Sequence, residues 1–446
     1  MKNKMNAKEI IKQCRELNKE YHYFNHIIEN PEQKEKGKLD KIFFSIKDNI
    51  CVKDIPSSAG SRIIKNYKPV FDATIIEKIK QEGGLIIGKT SQDEFGFGGF
   101  NVNVGKDFEI PLNPFDKERA TGGSSGGAAG LTQKAEFRHV AISESTGGSI
   151  VNPACFCGVY GLCPTYGRIS RYGLIDYANS LDKIGIMSKN IEDIALTLKI
   201  ISGFDEKEST SSDKEVPDYN SFLKKDIKGL KIGIIKEAFG KGIDDEIKKT
   251  IKQKIDELEK QGAVIKEISL PLTSKYALPA YYILALSEAS TNLARFCGMR
   301  YGEEEKLEGS FNEYFKEIRS KNFGKEAKRR IILGTFTRMS GYRDAYYIKS
   351  AKIRTMIIDE YKKVFKDVDV LLSPTMPIIA PKIKEIEKMT PIENYMMDTL
   401  TCGPNLAGLP HINIPCGFVD DMPIGIMLIG DHFDEGKILQ LGNKIK

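Results

Sequence analysis

The chain has 446 residues, enough for two or three average domains or one large α/β unit, and a hydrophobic share of 41% that supplies a sizeable core. Its net charge of +6 comes from 67 basic and 61 acidic residues spread along the chain, too small an excess to argue a nucleic-acid surface by electrostatics alone. Eight cysteines form no disulfide ladder, Cys155-Phe156-Cys157 has the wrong spacing for a zinc knuckle, and there is neither a signal peptide nor a long apolar span, so a soluble, reducing, cytoplasmic setting without membrane contact is expected.

From Asn6 to Glu29 apolar residues recur at helical spacing (Ile10, Ile11, Cys14, Leu17, Tyr21, Phe24), which predicts an amphipathic opening helix packed on the body. A strand over Ile42 to Ile46 then ends on Lys47, an unusual residue beside such an apolar run. Asp72 is placed to cap a helix over Ala73 to Gln81, and Gly83-Gly84 leads into a short strand from Leu85 to Ile87. The run GGLIIGKT, 83–90, fits the P-loop expression letter for letter. A helix precedes it, however, and Leu85, Ile86 and Ile87 fill the loop positions, so a strand ending at Gly88 is the better reading and no ATP site is expected there.

Two glycine turns follow, Gly122-Gly123-Ser124-Ser125-Gly126-Gly127 and Thr146-Gly147-Gly148-Ser149. Between them the Gly/Ala-rich stretch Gly126 to Gln133 predicts a closely packed helix, and His139 to Ile142 a buried strand. Glycine lets other groups approach the backbone closely, so a serine after Gly-Gly presents its hydroxyl beside bare peptide N–H groups, the geometry of a nucleophile with an oxyanion hole. Such a serine needs a base, usually histidine. His22, His26, His139, His411 and His432 make no triad pattern with these turns, and Ser149 is not centred in a G-x-S-x-G elbow, which argues against an α/β-hydrolase. A lysine that burial leaves neutral can take the role, and Lys47 is the unusual lysine upstream.

Farther on, residues 204–228 are polar and serine-rich, a surface linker or insertion. Leu230 to Ile235, a helix from Asp244 to Gln261 and Val264 to Ile268 form a βαβ unit. Helices are expected at Ala277 to Cys297 and Tyr342 to Phe365, a strand at Val368 to Leu372 stopped by Ser373-Pro374, and short strands at Ile412 to Pro415 and Gly425 to Ile429. There are no internal repeats. The alternation predicts an α/β fold with a mixed, largely parallel sheet covered by helices.

Lys47 in IKDNI, Ser124 in GGSSGG and Ser149 in TGGSI resemble, in order and spacing, the Ser-cisSer-Lys triad of the amidase signature family. The likeness continues through Gly158 to Gly185 and covers nearly the whole chain. It implies a single domain over 1–446, with one large mixed β-sheet covered by helices on both faces. It also implies that Ser149 attacks an amide carbonyl, that Ser124, preceded by a cis peptide, relays its proton, and that Lys47 is the base. The N–H groups of Thr146, Gly147, Gly148 and Ser149 hold the oxyanion, and Ser125 supports the turn or hydrogen-bonds within the site.

The stretches Ala280 to Ile283, Ser287 to Gly302, Gly324 to Phe336, Ser340 to Tyr347 and Leu406 to Gly417 resemble one branch of that family. That branch comprises the A subunits of glutamine-dependent aspartyl/glutamyl-tRNA amidotransferases. The likeness implies glutamine as amide donor, its carboxylate taken by Arg330, its ammonium by Asp398, and its pocket lined by Tyr281. Buried groups of this kind discriminate because a ligand lacking the matching charge leaves them unpaired. It further implies a heterotrimer with B and C subunits, misacylated tRNA held mostly elsewhere, ATP and magnesium used by the B subunit, and no cofactor or metal in this chain. Four positions depart from the branch's pattern: Ser145 stands for an aspartate, Val151 for an arginine, Cys163 for a lysine and His411 for a glycine. The gap from Ser124 to Ser149 is one residue longer, and the N-terminal region is short. A stand-alone amidase for small amides is the alternative, against which Tyr281, Arg330 and Asp398 speak; an intact triad speaks against a silent scaffold.

Overall fold

In the computed structural model, which describes residues 6–32 and 35–445, the apolar runs become strands of one sheet. These are β1 (Phe24–Ile27), β2 (Phe43–Lys47), β3 (Leu85–Thr90), β4 (His139–Ser145), β5 (Tyr160–Cys163), β6 (Lys183–Ser188), β7 (Lys231–Ile235), β8 (Val264–Ile268), β9 (Val370–Pro374), β10 (His411–Val419) and β11 (Met422–Gly430). Their order across the sheet is β1-β3-β2-β4-β6-β5-β10-β11-β9-β7-β8. The sheet is mixed but not largely parallel. Only β2 with β3 and β4, and β7 with β8 and β9, run parallel; the other six neighbouring pairs are antiparallel. Hydrophobic periodicity marks a strand without marking its direction. The βαβ units lie toward the two ends, where helical crossovers force parallel pairing, and the centre is closed by hairpins and long returns.

Alternate strand residues feed different cores, as the period of two requires. Val370, Leu372, Ile426 and Leu428 pack with the helices Thr74–Gln81, Ile191–Ile201 and Asp245–Lys260. Leu371, Met427 and Ile429 pack on the other face, against the helices Pro271–Asn292 and Lys349–Val364. The sheet is therefore covered on both sides. No helix among the described residues is long and apolar enough to cross a membrane.

Several boundaries differ from the sequence reading. The opening helix spans Ala7–Tyr21 and stops at His22, whose φ of 60° is left-handed; Phe24 continues the helical spacing by coincidence and starts the edge strand β1. Asp72 does not cap the next helix, Thr74–Gln81, because its carboxylate is taken by the Lys53 N–H and the Lys80 ammonium. Strand β3 runs through Lys89 to Thr90 instead of ending at Gly88, since Ile46 and Lys47 of β2 pair with those two residues. Strand β9 includes Ser373 and Pro374 where a stop was expected, with Pro374 opposite Ile426 of β11. The polar stretch 204–228 is tied to the body. Asp205 accepts bonds from the Thr74 and Ser170 hydroxyls at 2.6 and 2.5 Å, and Arg168 donates to the carbonyls of Lys214 and Glu215.

Candidate active site

Because β2 and β4 run parallel, with Ile46 beside Ile142, the carboxyl ends of both strands reach the same place. Lys47 closes β2 there, fully buried, and its side-chain nitrogen meets three oxygens: Ser124 Oγ at 2.8 Å, the Glu144 carbonyl at 2.9 Å and Glu144 Oε2 at 3.0 Å. A lysine survives such burial only where hydrogen-bond acceptors replace water.

Ser124 is brought to Lys47 by the first glycine turn, in which the Gly123–Ser124 peptide is cis. Gly122 adopts a φ of 79°, and a Cβ there would lie 2.5 Å from Asn152 Oδ1 and 2.8 Å from Pro153 Cα. Only glycine lets this turn seat on the helix Val151–Phe156, which immediately follows the second turn. The first turn and the helix after the second also share Gly99, whose carbonyl accepts the Gly123 N–H at 2.9 Å and the Asn152 side-chain amide at 2.8 Å. Ser125 lies against the same group as the lysine, donating to the Glu144 carbonyl at 3.3 Å.

The second turn carries Thr146, Gly147, Gly148 and Ser149, the last of them 7% exposed and so reachable where Lys47 and Ser124 are sealed. Its carbonyls are fixed from behind. Asn405 donates to the Thr146 carbonyl, and Ser145 Oγ donates to the Gly147 carbonyl at 3.0 Å. In trans peptides the N–H points opposite to the C=O, so the Gly147 and Gly148 N–H groups are turned away from those anchors. Among the described residues neither donates a hydrogen bond within the chain. Two peptide donors beside a serine hydroxyl are suited to a carbonyl oxygen that gains charge.

The three expected recognition residues come from separate elements and converge through Tyr282. Tyr281, on the helix Pro271–Asn292, is buried with its hydroxyl 2.8 Å from where a Cβ on Gly147 would lie. Asp398 accepts the Tyr282 hydroxyl at 2.6 Å, and burial raises its carboxyl above the usual range. Arg330, on the helix Lys325–Arg338, does not sit on a solvated face. It is 3% exposed, with its guanidinium 5.1 to 5.8 Å from the rings of Phe97, Tyr177, Tyr282 and Tyr395. Its Nε donates to Glu326 at 2.9 Å and another nitrogen donates to the Tyr177 hydroxyl at 2.7 Å. A cleft of about 340 Å³ opens beside it, lined by Gly98, Gly99, Tyr282, Glu326, Arg330 and Tyr395, and the Gly99 carbonyl ties that lining to the first glycine turn and to Asn152.

Of the departures, Ser145 serves the turn as described, Val151 is buried in the apolar core, Cys163 is a buried thiol 3.6 Å from the Asn405 side-chain oxygen, and His411 bonds the Leu409 carbonyl at 3.1 Å. Sequence reasoning missed Glu144, Asp182, Tyr177, Tyr282, Glu326 and Tyr395. For Glu144 a signal existed. The Gly/Ala helix Gly126–Lys134 covers the strand Ala-Ile-Ser-Glu-Ser, so an acid there has no solvated face to occupy. Among the described residues no cluster of three or more His, Cys, Asp or Glu is placed to hold a metal ion.

The family model described as Amidase matches residues 9–439. The A subunit of glutamyl-tRNA(Gln) amidotransferase from Persephonella marina is 48% identical over 400 residues, 90% of this chain and 81% of that one. The protein of the same name from Halothermothrix orenii is 48% identical over 405 residues, covering 91% and 84%. Among solved structures, the glutamyl-tRNA(Gln) amidotransferase A subunit of Thermotoga maritima superposes with a TM-score of 0.83 at 35% identity, over 97% of this chain and 90% of that one. The 6-aminohexanoate cyclic dimer hydrolase shares the fold, with a TM-score of 0.85 at 19% identity. The shared architecture, the matched length and these identities together show that the chain belongs to the amidase family, alongside its amidotransferase A subunits.

Proposed function

We propose that this chain, acting as one amidase domain, is the glutamine-hydrolysing A subunit of a tRNA-dependent amidotransferase. The observation that carries the reading is the 2.8 Å contact of Lys47 Nζ with Ser124 Oγ, both fully buried. Ser149 Oγ attacks the side-chain amide carbon of glutamine while its proton passes to Ser124 and the Ser124 proton passes to Lys47. The Gly147 and Gly148 N–H groups, flanked by those of Thr146 and Ser149, receive the oxyanion. The relayed proton then returns through Ser124 to the leaving nitrogen, which departs as ammonia. Water releases glutamate from Ser149 by the same route in reverse.

Arg330 recognises the glutamine carboxylate and Asp398 its ammonium group, with Tyr281 closing the pocket and Ser125 holding the floor. The ammonia passes to a partner, the B subunit, which activates misacylated Glu-tRNA(Gln) or Asp-tRNA(Asn) with ATP and magnesium, in an assembly completed by the C subunit. This chain needs no metal or cofactor of its own for the steps assigned to it. The test is glutamate release from glutamine by the complex with the B and C subunits. Ser149→Ala is expected to abolish it, and retention of more than a tenth of the wild-type rate would end the mechanism. Equal turnover of glutamine and simple uncharged amides would favour a stand-alone amidase.

A further inference from the structure

Beside the second glycine turn two buried acids close on one hydroxyl. Thr146 Oγ1 lies 2.7 Å from Glu144 Oε1 and 2.8 Å from Asp182 Oδ1, and no solvent reaches either acid. Both separations are those of an O–H···O hydrogen bond. A threonine hydroxyl has a single proton and can serve only one of them. The other contact needs a hydrogen of its own, so one of the two acids is protonated and donates to Thr146. Their remaining partners decide which. Glu144 is an acceptor at every contact: its Oε2 takes Lys47 Nζ at 3.0 Å and Asn49 Nδ2 at 3.1 Å, and Lys47 is a group that can bring it a positive charge. The Asp182 carboxyl has no such partner among the described residues. Its Oδ2 accepts the N–H groups of Tyr177 and Ala178 at 2.8 and 2.9 Å, which leaves Oδ1 to carry the hydrogen. Thr146 then accepts from Asp182 and donates to Glu144.

The charges around Asp182 agree with that assignment. Burial, with the Glu144 charge next, raises its carboxyl well above the usual range, Asp176 adding to the shift and Arg171 opposing it. Arg171 reaches only the Asp182 backbone carbonyl, at 3.5 Å, and its guanidinium is bonded to Glu208. The other charged groups on the elements packed here are engaged elsewhere: Asp176 with Arg295, Glu288 with the Ser180 N–H and hydroxyl, Arg354 with the Ser180 carbonyl and Lys183 with the Leu409 carbonyl. The Cys163 thiol and the Tyr177 hydroxyl are both raised by burial. The same corner fixes the turn. Asn405 donates to the carbonyls of Thr146 and Leu181, tying the Thr146 backbone to the residue before Asp182, and Asp182 itself ties the Thr146 side chain. Thr146 leads directly into Gly147 and Gly148. A second carboxylate here would set a negative charge beside N–H groups meant for an oxyanion, whereas the neutral acid makes the same contact without it.

We infer that Asp182 is a neutral carboxylic acid in the working protein, a positioning residue that donates to Thr146 and through it steadies the turn that receives the oxyanion. The inference rests on the proposed glutaminase chemistry for the use of that turn; the place of the proton rests on the contacts alone. A consequence for stability follows. An acid held above its ordinary 3.8 in the folded chain contributes stability that is fully present below that value and is lost as pH rises toward the raised one, because the unfolded chain has by then released a proton that the folded chain still holds.

Two measurements locate the proton. Urea unfolding of the full chain is compared for wild type and Asp182→Asn between pH 5 and 7. The amide cannot titrate, so the ratio of the wild-type unfolding constant to that of the variant should rise about tenfold per pH unit. A flat or falling ratio overturns the inference. In protein carrying aspartate labelled with carbon-13 at its side-chain carboxyl, infrared spectra at pH 7 should show a labelled protonated-carboxyl band that Asp182→Asn removes, and a wild-type spectrum without that band also overturns it. The positioning role is read from glutamate release by the complex with the B and C subunits. Asp182→Ala deletes the donor, so kcat is expected to fall about tenfold or more while KM moves less than about threefold, because the turn meets the reacting carbonyl and not the rest of the ligand. Asp182→Asn can donate Nδ2–H to Thr146 and accept the Tyr177 and Ala178 N–H groups through Oδ1, and should restore most of that loss. Equal losses in the two variants, or an undiminished kcat in Asp182→Ala, overturn the role. If Asp182→Ala does not fold, the unfolding and infrared readings on Asp182→Asn still decide. A wild-type complex that releases no glutamate would sink the glutaminase reading, while those two readings would still say whether Asp182 carries the proton.

Discussion

Arg330→Ala separates recognition from packing, because in this structure the guanidinium already has partners of its own. Removing it deletes the 2.9 Å bond to Glu326, the 2.7 Å bond to the Tyr177 hydroxyl and the contacts with four surrounding rings. Glu326 is not stranded, since Arg329 and the Tyr395 hydroxyl still reach it. The cost to the fold should then fall below the 3–5 kcal/mol typical of breaking a buried pair, at about 2–3 kcal/mol. At roughly 2.1 cal/mol/K of unfolding entropy per residue, a chain of this length loses only about 3 °C of Tm for that amount. The catalytic cost should be larger. A charge-assisted pair with the ligand carboxylate is worth up to about 3 kcal/mol, or roughly 150-fold in kcat/KM.

The assay is ammonia release by the complex from glutamine and from butyramide, which has the amide but no carboxylate. Glutamine turnover is expected to drop by about 150-fold, while butyramide turnover stays within about threefold. If both amides lost activity equally, Arg330 would be holding the aromatic cage together and not reading the substrate.

Three further outcomes are expected. Gly148→Ala places a Cβ 2.5 Å from Thr401 Oγ1 and 3.0 Å from its Cβ, so it should destabilise by about 1–3 kcal/mol and displace the oxyanion donors; a Tm and glutamate-release rate both equal to wild type would contradict the packing described. His139 is buried with neither ring nitrogen hydrogen-bonded among the described residues, and burial drives its imidazole down to about 3 from an ordinary 6.5. The unfolded chain therefore takes up that proton first, and the stability gained by keeping the ring neutral is complete above about 6.5 and lost steadily as pH falls toward 3. Denaturation midpoints at pH 7.5 and 5 should show about 2 kcal/mol of acid loss that is missing in His139→Leu; equal losses in both proteins would refute it. Lys89, the lysine of the P-loop-like run, donates to Ser57 Oγ at 2.7 Å and to the Ile50 carbonyl, with Asp48 beside it. Magnesium-ATP should leave the Tm of this chain unchanged, and a rise of several degrees would show that the motif binds nucleotide after all.

The parts legible in the sequence are those whose chemistry shows in composition at short range. Paired glycines mark the turns at Ser124 and Ser149, and a lysine closing an apolar strand marks Lys47 as a residue with something to do. Glu144 was passed over because the buried strand was read only as far as Ile142, and the polar run Ser143-Glu144-Ser145 looks like the exposed end of a strand, when all seven residues His139–Ser145 are buried. The cage around Arg330 stayed hidden for a related reason. A glutamate four residues before an arginine looks like a surface ion pair, and nothing local says that Phe97, Tyr177, Tyr282 and Tyr395, drawn from across the chain, will enclose it. Strand direction was misjudged because a crossover and a hairpin leave the same periodicity behind.

The helices that bring Tyr281 and Arg330 are packed on one another so closely that a Cβ at Gly334 would fall on the Leu286 carbonyl. They are inserted between β8 and β9, whereas Lys47 and Glu144 stand on β2 and β4 at the far part of the sheet. On the proposed reading, selectivity and reactivity rest on separately encoded stretches, which meet where Tyr281 faces Gly147 and where Arg330 reaches Tyr177 and Phe97. Drift or insertion in the helical block can retune which amide is admitted while the proton-handling strands stay as they are, so a scaffold of this kind can be repurposed without reinventing its chemistry.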